Sequence, residues 1–293
     1  RRLRKEEDLD LEAAEFFVRG RMLAAGAQAL EDFLAERLEN EAAPVCGRDH
    51  PPTAMRSDGR RGKTMRTILG PVRIERRRFV CPVCGEVRYP ADERLGVADT
   101  RFSPGLRRLM ARAGACEPFA PASESLHLYA GVEVGPKDVE RVAEETGRRA
   151  AVWMQEQGAE AALKAAVDQP TVEQAPETLY VSFDGTGAPM RASELEGVAG
   201  KNGKARSREV KLGCVFTQSG LDAKGQPVRD PDSTTYVGAI EPSVDFGHRL
   251  AQEAKRRGSH QAGRTVVLTD GAAYNKSIVA EHFPQALHIL DPF

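Results

Sequence analysis

Leu179-Tyr180-Val181-Ser182-Phe183-Asp184-Gly185-Thr186-Gly187 is an apolar run that stops at a carboxylate and gives way to small residues. The same grammar returns at Thr265-Val266-Val267-Leu268-Thr269-Asp270-Gly271. Each reads as a strand that delivers an aspartate at its end, with glycine where the backbone turns. Working outward, the pattern predicts strands near 178–184, 208–217, 234–240, 265–270 and 286–291, and helices near 243–257 and 274–283. Three strands followed by helix, strand, helix and strand specify a mixed sheet with helices on its faces. A single Asp-Gly marks a turn. Two at matching positions of one sheet pattern point instead to Asp184 and Asp270 as paired metal ligands, because two-metal phosphodiester chemistry needs oxygen donors on rigid strand ends. Mg2+ suits such a site, since it takes a few carboxylates and keeps its waters. Asp291 also closes a strand, but Asp-Pro is an ordinary turn start.

Upstream, residues 161–177 read as a linker, with Gln169-Pro170 and Gln174-Ala175-Pro176 as its breakers. Residues 101–160 are helical. Ser103-Pro104 opens one helix, a second reaches Gly131, and Pro136 starts a third toward Trp153. The last two, joined through Gly131-Val132-Glu133-Val134-Gly135, make a helix-turn-helix-like unit. It offers Lys137, Arg141, Arg148 and Arg149 to phosphates or base edges. Asp138, Glu140, Glu144 and Glu145 are interleaved, so an ordinary helical hairpin fits the same residues. The basic stretch that includes Lys201, Lys204, Arg206, Arg208 and Lys211 reads as a loop that can close on a DNA backbone near Asp184, or as a solvated loop.

Residues 43–100 change character. Thr64 to Leu69 and Val72 to Val80 read as strands about a Gly70-Pro71 turn. The second leads into Cys81-Pro82-Val83-Cys84-Gly85, half of a zinc ribbon. The other half is Cys46-Gly47-Arg48-Asp49-His50, so Cys46, His50, Cys81 and Cys84 are the expected zinc ligands. A degenerate knuckle that keeps its turns without metal is the alternative. Cys116 and Cys214 are expected to be small buried apolar groups. Arg56 to Arg78 carries nine Lys/Arg against Asp58 and Glu75, with Arg76, Arg77 and Arg78 in one run. Such a stripe is the usual footprint of a nucleic-acid contact. Residues 1–42 read as helical, with Gly20 and Gly26 leaving one long helix or two short ones open.

The chain of 293 residues has room for two or three domains, and its 41% hydrophobic and 29% charged residues are ordinary for a globular protein. No apolar run reaches transmembrane length, and no secretory signal is readable. Five cysteines with one C-x-x-C fit a metal knuckle in a reducing compartment better than a disulfide scaffold. The start at Arg1 and the stop at Asp291-Pro292-Phe293 suggest a piece of a longer protein.

These pieces in this order resemble the ISKra-type family of bacterial insertion-sequence DDE transposases. The likeness runs from about residue 43 and is strongest after 178. It rests on Val181 to Gly187, Arg208 to Thr217, Tyr236-Val237-Gly238-Ala239-Ile240, Val267 to Ala272, and Glu281-His282-Phe283-Pro284 leading to Ile289-Leu290-Asp291. The Cys81 to Gly85 knuckle and Pro90 to Gly96 belong to it as well. The resemblance implies four parts in order. They are a helical N-terminus, a zinc-ribbon-like β region, a helix-turn-helix-like DNA-binding region, and an incomplete α/β ribonuclease-H-like catalytic domain over 178–293. It implies Asp184 and Asp270 as the first two acids of a DDE triad that uses Mg2+ or Mn2+, with the third, a Glu, beyond residue 293. It implies double-stranded DNA as partner, a homo-oligomer when full-length, and a bacterial cytoplasm and nucleoid as location. The family's first C-x-x-C is reduced here, with Ala43 at the outer position, so zinc binding requires His50 to substitute. Two other readings stay open. One is a DNA-binding regulator built on the zinc ribbon and helix-turn-helix. The other is an actin-like sugar kinase, to which Asp184-Gly185-Thr186-Gly187 is also similar, although Ala188-Pro189-Met190 supplies no donors for ATP phosphates.

Overall fold

The computed structural model describes residues 10–200 and 203–291, of which 199, 200, 203 and 204 are described by their backbone alone. It shows a long N-terminal helix, small antiparallel sheets and a mixed sheet. The chain divides into two compact units, 1–149 and 150–293.

The first unit opens with α1 (Leu11–Arg37), a single helix that runs through both glycines. Asp10 caps it, its carboxylate accepting from Ala13 N at 3.0 Å. Ala27, Leu34 and the following Leu38 pack on Met65, Val72 and Ile74, which project from a hairpin. That hairpin follows a short ladder of β1 (Val45–Cys46) and β2 (Thr53–Ala54). It consists of β3 (Arg56–Thr67) and β4 (Gly70–Val80), and β5 (Val87–Arg88) adds to the outer edge of β4. β3 begins eight residues earlier than its sequence predicts, because Arg56 to Lys63 lacks apolar alternation and is held extended by pairing with β4. The turn is Ile68-Leu69 rather than Gly70-Pro71. Thr67 Oγ1 accepts from Leu69 N and donates to Gly70 O, closing a two-residue loop.

Four helices complete this unit: α2 (Pro90–Arg94), α3 (Pro104–Cys116), α4 (Phe119–Ala130) and α5 (Pro136–Ala166), whose later part belongs to the second unit. Ser103 caps α3 as expected, accepting from Leu106 N at 3.2 Å. Gly131 ends α4 in the left-handed region at φ 67°, where its N–H reaches His127 O and the next reaches Leu126 O. α5 extends through Ala166, so the first six residues of the expected linker are helical. The rest of that stretch is strapped to the second unit. Thr171 donates through its N–H to Gln261 Oε1 at 2.7 Å and through Oγ1 to Lys255 O at 2.6 Å.

The second unit contains β6 (Thr178–Pro189), a single-turn 3-10 helix at Ala192–Leu195, and the small ladder of β7 (Ala199–Gly200) with β8 (Gly203–Lys204). Then come β9 (Ser207–Phe216), the ladder of β10 (Gly220–Leu221) with β11 (Pro227–Val228), β12 (Thr235–Ala239), α6 (Ser243–Arg256), β13 (Arg264–Thr269), α7 (Ala273–His282) and β14 (Leu287–Leu290). Five strands form one mixed sheet in the order β12-β9-β6-β13-β14. β6 pairs antiparallel with β9 and parallel with β13. Leu179, Val181 and Phe183 alternate into a core with Phe246 and Leu250 of α6, Val267 of β13, and Ile278 and Val279 of α7. Burying each such side chain contributes roughly 1.5–3 kcal/mol.

Candidate metal centres and nucleic-acid interface

β6 does not end at Asp184. It continues to Pro189, and beyond Asp184 it pairs with β9 alone, as a two-stranded ribbon. What ends there is its parallel neighbour. β13 pairs Leu268 with Ser182 and ends at Thr269, so carrying the register two residues past that last pair would set Asp270 opposite Asp184. Neighbouring strands lie about 4.8 Å apart. Both carboxylates act on the Tyr274 phenol, close to where β13 stops and β6 runs on. Asp184 is exposed, and its Oδ1 accepts from Gly185 N at 2.7 Å. Asp270 is half-buried, and its Oδ1 accepts from Ala272 N at 3.0 Å and Asn275 Nδ2 at 2.6 Å. These bonds orient each carboxylate from one oxygen.

Gly185 is not a turn residue, as its sequence context predicts, but a point of close approach. A Cβ there would lie 2.7 Å from Glu209 Oε1 and would collide with the Tyr274 hydroxyl. Glu209 and Tyr274 are therefore part of this corner, although no pattern in the sequence marks them: Glu209 sits in a strand, and Tyr274 in the first turn of α7. Lys211 Nζ binds Glu209 Oε2 at 2.6 Å and the Glu241 carbonyl at 3.0 Å. The Tyr274 phenol is pushed up to about 12 from its usual 10.0, first by burial and then by Glu209, Asp184 and Asp270, in that order.

Between 10 and about 12 the folded protein holds the Tyr274 proton that the unfolded chain has released, so stability falls with rising pH across that window and is unaffected below it. In a wild-type minus Tyr274→Phe titration, the phenolate absorbance difference should appear near pH 12. A transition at the ordinary 10.0 would show that Tyr274 is neither buried nor faced by the carboxylates.

Cys46, His50, Cys81 and Cys84 come together as their spacing predicts. Their ligand atoms all lie within 4.8 Å of one another. Cys46 and Cys84 Sγ are 3.7 Å apart, and Cys81 Sγ is 3.3 Å from His50 Nε2. Tetrahedral zinc with Zn–S of about 2.3 Å and Zn–N of about 2.0 Å demands S···S near ~3.8 Å and S···N near ~3.5 Å. The set fits the ion. His50 Nδ1 lies 2.8 Å from Pro51 O. With Nδ1–H donating to that carbonyl, Nε2 is left as the ligand nitrogen. The knuckle closes through Gly85 N to Cys81 O at 3.0 Å and Cys81 N to Glu86 O at 2.8 Å. Gly85 sits at φ 72°, which favours glycine.

The Glu86 amide holds the Cys84 thiol below its ordinary pKa. The Arg48 amide acts likewise on Cys46, but burial and the neighbouring thiols carry that group above its ordinary value. Cys116 is exposed and Cys214 half-buried, so neither is the fully buried filler expected. α3 ends at Cys116, and β9 carries Cys214 on the sheet face that α6 and α7 leave uncovered.

The basic residues divide. Arg76 is drawn inward: its side chain is 13% exposed, binds Asp92 at 2.6 Å and lies over the Tyr89 ring. Lys63 reaches the same carboxylate at 3.2 Å. Arg77 donates to the Glu39 carbonyl at 3.1 Å, and Arg78 pairs with Asp58. The arginine run thus ties the unit together, because alternate β4 positions face α1 and α2 as well as solvent. Lys137 and Arg141 remain exposed on α5, paired with Glu140 at 2.7 Å and Asp138 at 2.6 Å. Arg141 and Arg149 line a groove of 980 Å³ with Lys63, Arg101 and Arg107. Arg206 is exposed and Arg208 half-buried at the start of the ribbon. Cross-strand partners share a face, so the pairs Asp184↔Leu212 and Ala188↔Arg208 put Arg208 on the face of Asp184. Lys211 is buried in β9, not in a loop, while Lys201 and the Lys204 side chain lie outside the described residues. No described helix is long and apolar enough to cross a membrane.

No family model matches the chain. No curated protein matches it either. Among solved structures, it is similar to the Drosophila P element transposase strand transfer complex at 12% identity and a TM-score of 0.28, over 66% of this chain and 38% of that one. The chain thus spans 38% of the length of that neighbour, and at that score the likeness is too slight to define a shared fold.

Proposed function

We propose that the chain is a DNA-handling portion of a DDE transposase of the ISKra type, with a ribonuclease-H-like sheet that cleaves and joins DNA strands at insertion-sequence ends. The observation that supports this reading is the β6–β13 register, whose last pair, Leu268 with Ser182, lies two residues before Asp270 and Asp184. The donor set is oxygen-only, anionic and open to solvent on the Asp184 side, as Mg2+ or Mn2+ requires. Bound there, the ion would supply Lewis-acid activation of a phosphodiester and of the attacking water or 3′-hydroxyl.

The chain's own residues do the positioning. Gly185 N and Asn275 aim the two carboxylates. Tyr274 stays protonated throughout the neutral range and remains a hydrogen-bond donor at the edge of the site. Lys211, 5% exposed, holds Glu209 in place. Arg206 and Arg208 on the ribbon, with Lys137 and Arg141 on α5, are the phosphate contacts in this reading. The zinc-capable cluster and the α4–α5 hairpin grip the terminal repeats.

The test is strand cleavage of a DNA duplex bearing the element ends by the intact protein. Cleavage should require Mg2+ or Mn2+ and vanish on chelation. Sequence-specific binding with no nicking under any divalent ion would overturn the reading and leave a DNA-binding regulator.

A further inference from the structure

The α/β unit carries another set of metal-capable side chains, which the chemistry above does not use. His248 lies on α6, and Glu281 and His282 close α7. One ligand atom from each comes within 4.8 Å of the others. The imidazoles meet edge to face, with ring centroids 4.7 Å apart and planes at 66°. His282 Nε2 lies 3.9 Å from Glu281 Oε1.

We infer that His248, Glu281 and His282 bind a transition-metal dication of the zinc class and so clip the end of α7 to α6. The His282 side chain is 10% exposed, and its Nε2 is buried with no hydrogen-bond partner. Buried polar atoms are almost always paired, and a metal ion would satisfy this one. The backbone is shaped to admit the ring. A Cβ on Gly247 would lie 2.8 Å from His282 Nε2, so the bare glycine lets imidazole and α6 approach. α7 ends at His282, where unpaired carbonyls concentrate partial negative charge that favours a cation.

Two imidazoles and a carboxylate with a fourth position open to water are a zinc donor set, and imidazole disfavours Mg2+ and Ca2+. Donors at about 2.0–2.2 Å from zinc stand roughly 3.3–3.6 Å apart, so the observed span closes with small side-chain rotations. The consequence reaches the carboxylates without depending on them. α7 also carries Asn275, which orients Asp270, and a clip at its far end fixes the helix at both ends.

Co2+ titration of the whole chain in excess Mg2+ tests this. The cysteine cluster reports itself by thiolate-to-cobalt charge transfer. Wild type should then take up a further equivalent that adds visible d–d absorption without that band. His248→Ala and Glu281→Gln alter exposed side chains and should fold normally, keep the thiolate signal, and weaken the further equivalent by at least about 100-fold, the upper end of what losing even an outer-shell partner costs. A further equivalent that persists unchanged in both variants, or that never appears in wild type, would overturn the inference.

Discussion

Asp184→Ala should reduce divalent-dependent strand cleavage by the intact protein at least about 10³-fold, while duplex binding changes by no more than about twofold, since binding is carried by phosphate contacts elsewhere. The side chain is exposed, and among the described residues its hydrogen bond is to the amide of the next residue. Truncating it therefore removes a ligand without opening a cavity. Asp270 is different. It accepts from Ala272 N and Asn275, at the start of α7. Asp270→Ala would disturb that helix start as well as the site, so Asp270→Asn is the cleaner variant. It keeps the shape, loses the charge and should match Asp184→Ala in cleavage. Gel-resolved cleavage products from either variant at wild-type rate would defeat the carboxylate assignment. A loss of cleavage accompanied by loss of binding would mean that the sheet had been damaged rather than disarmed.

Removing zinc should have the largest effect on stability. Cys46 and Cys81 are buried with Met55 and Phe79 in a satellite core of four residues among those described. A core that small does not hold a fold on its own, and the β1–β2 ladder beside it contains two residue pairs. Zinc held by the four-residue cluster would then supply folding free energy directly. Chelation, or Cys81→Ser, should lower the melting temperature of the first unit by roughly 10 °C or more, with recovery on adding Zn2+ to the chelated wild type. His50→Ala should act in the same direction, because its Nε2 completes the set at 3.3 Å from Cys81. A melting curve indifferent to chelation would mean that the knuckle keeps its turns through hydrogen bonds alone.

Much of the α/β unit was legible in the sequence because β13 and β14 are short apolar runs and α6 is amphipathic, burying Phe246, Leu250, Ala251 and Ala254. The predicted and observed limits of β9, β12, α6, β13, α7 and β14 agree within one or two residues. The same signal failed at β6. Its extension over Gly185 to Pro189 has no apolar alternation and exists because β9 pairs with it. β3 failed likewise, its polar half held by β4. At the metal cluster, spacing was enough, since C-x-x-C and C-x₃-H on two turns have few ways to converge. At the carboxylate corner it was not. Glu209 and Tyr274 close on Gly185 through cross-strand register and a helix start, and neither leaves a mark in local sequence. The arginine run misled for a related reason: composition counts charges, but only packing reveals that Arg76 points at Asp92.

The proposed strand cleavage requires Asp184 and Asp270 to act as one cation site. Crystals of the chain soaked in Mn2+ and measured at the manganese absorption edge test this directly. The predicted result is an anomalous peak bridging the two carboxylates, about 2.1–2.3 Å from an oxygen of each, that disappears in Asp184→Asn. Carboxylates turned apart, with no manganese between them at saturating concentration, would contradict it.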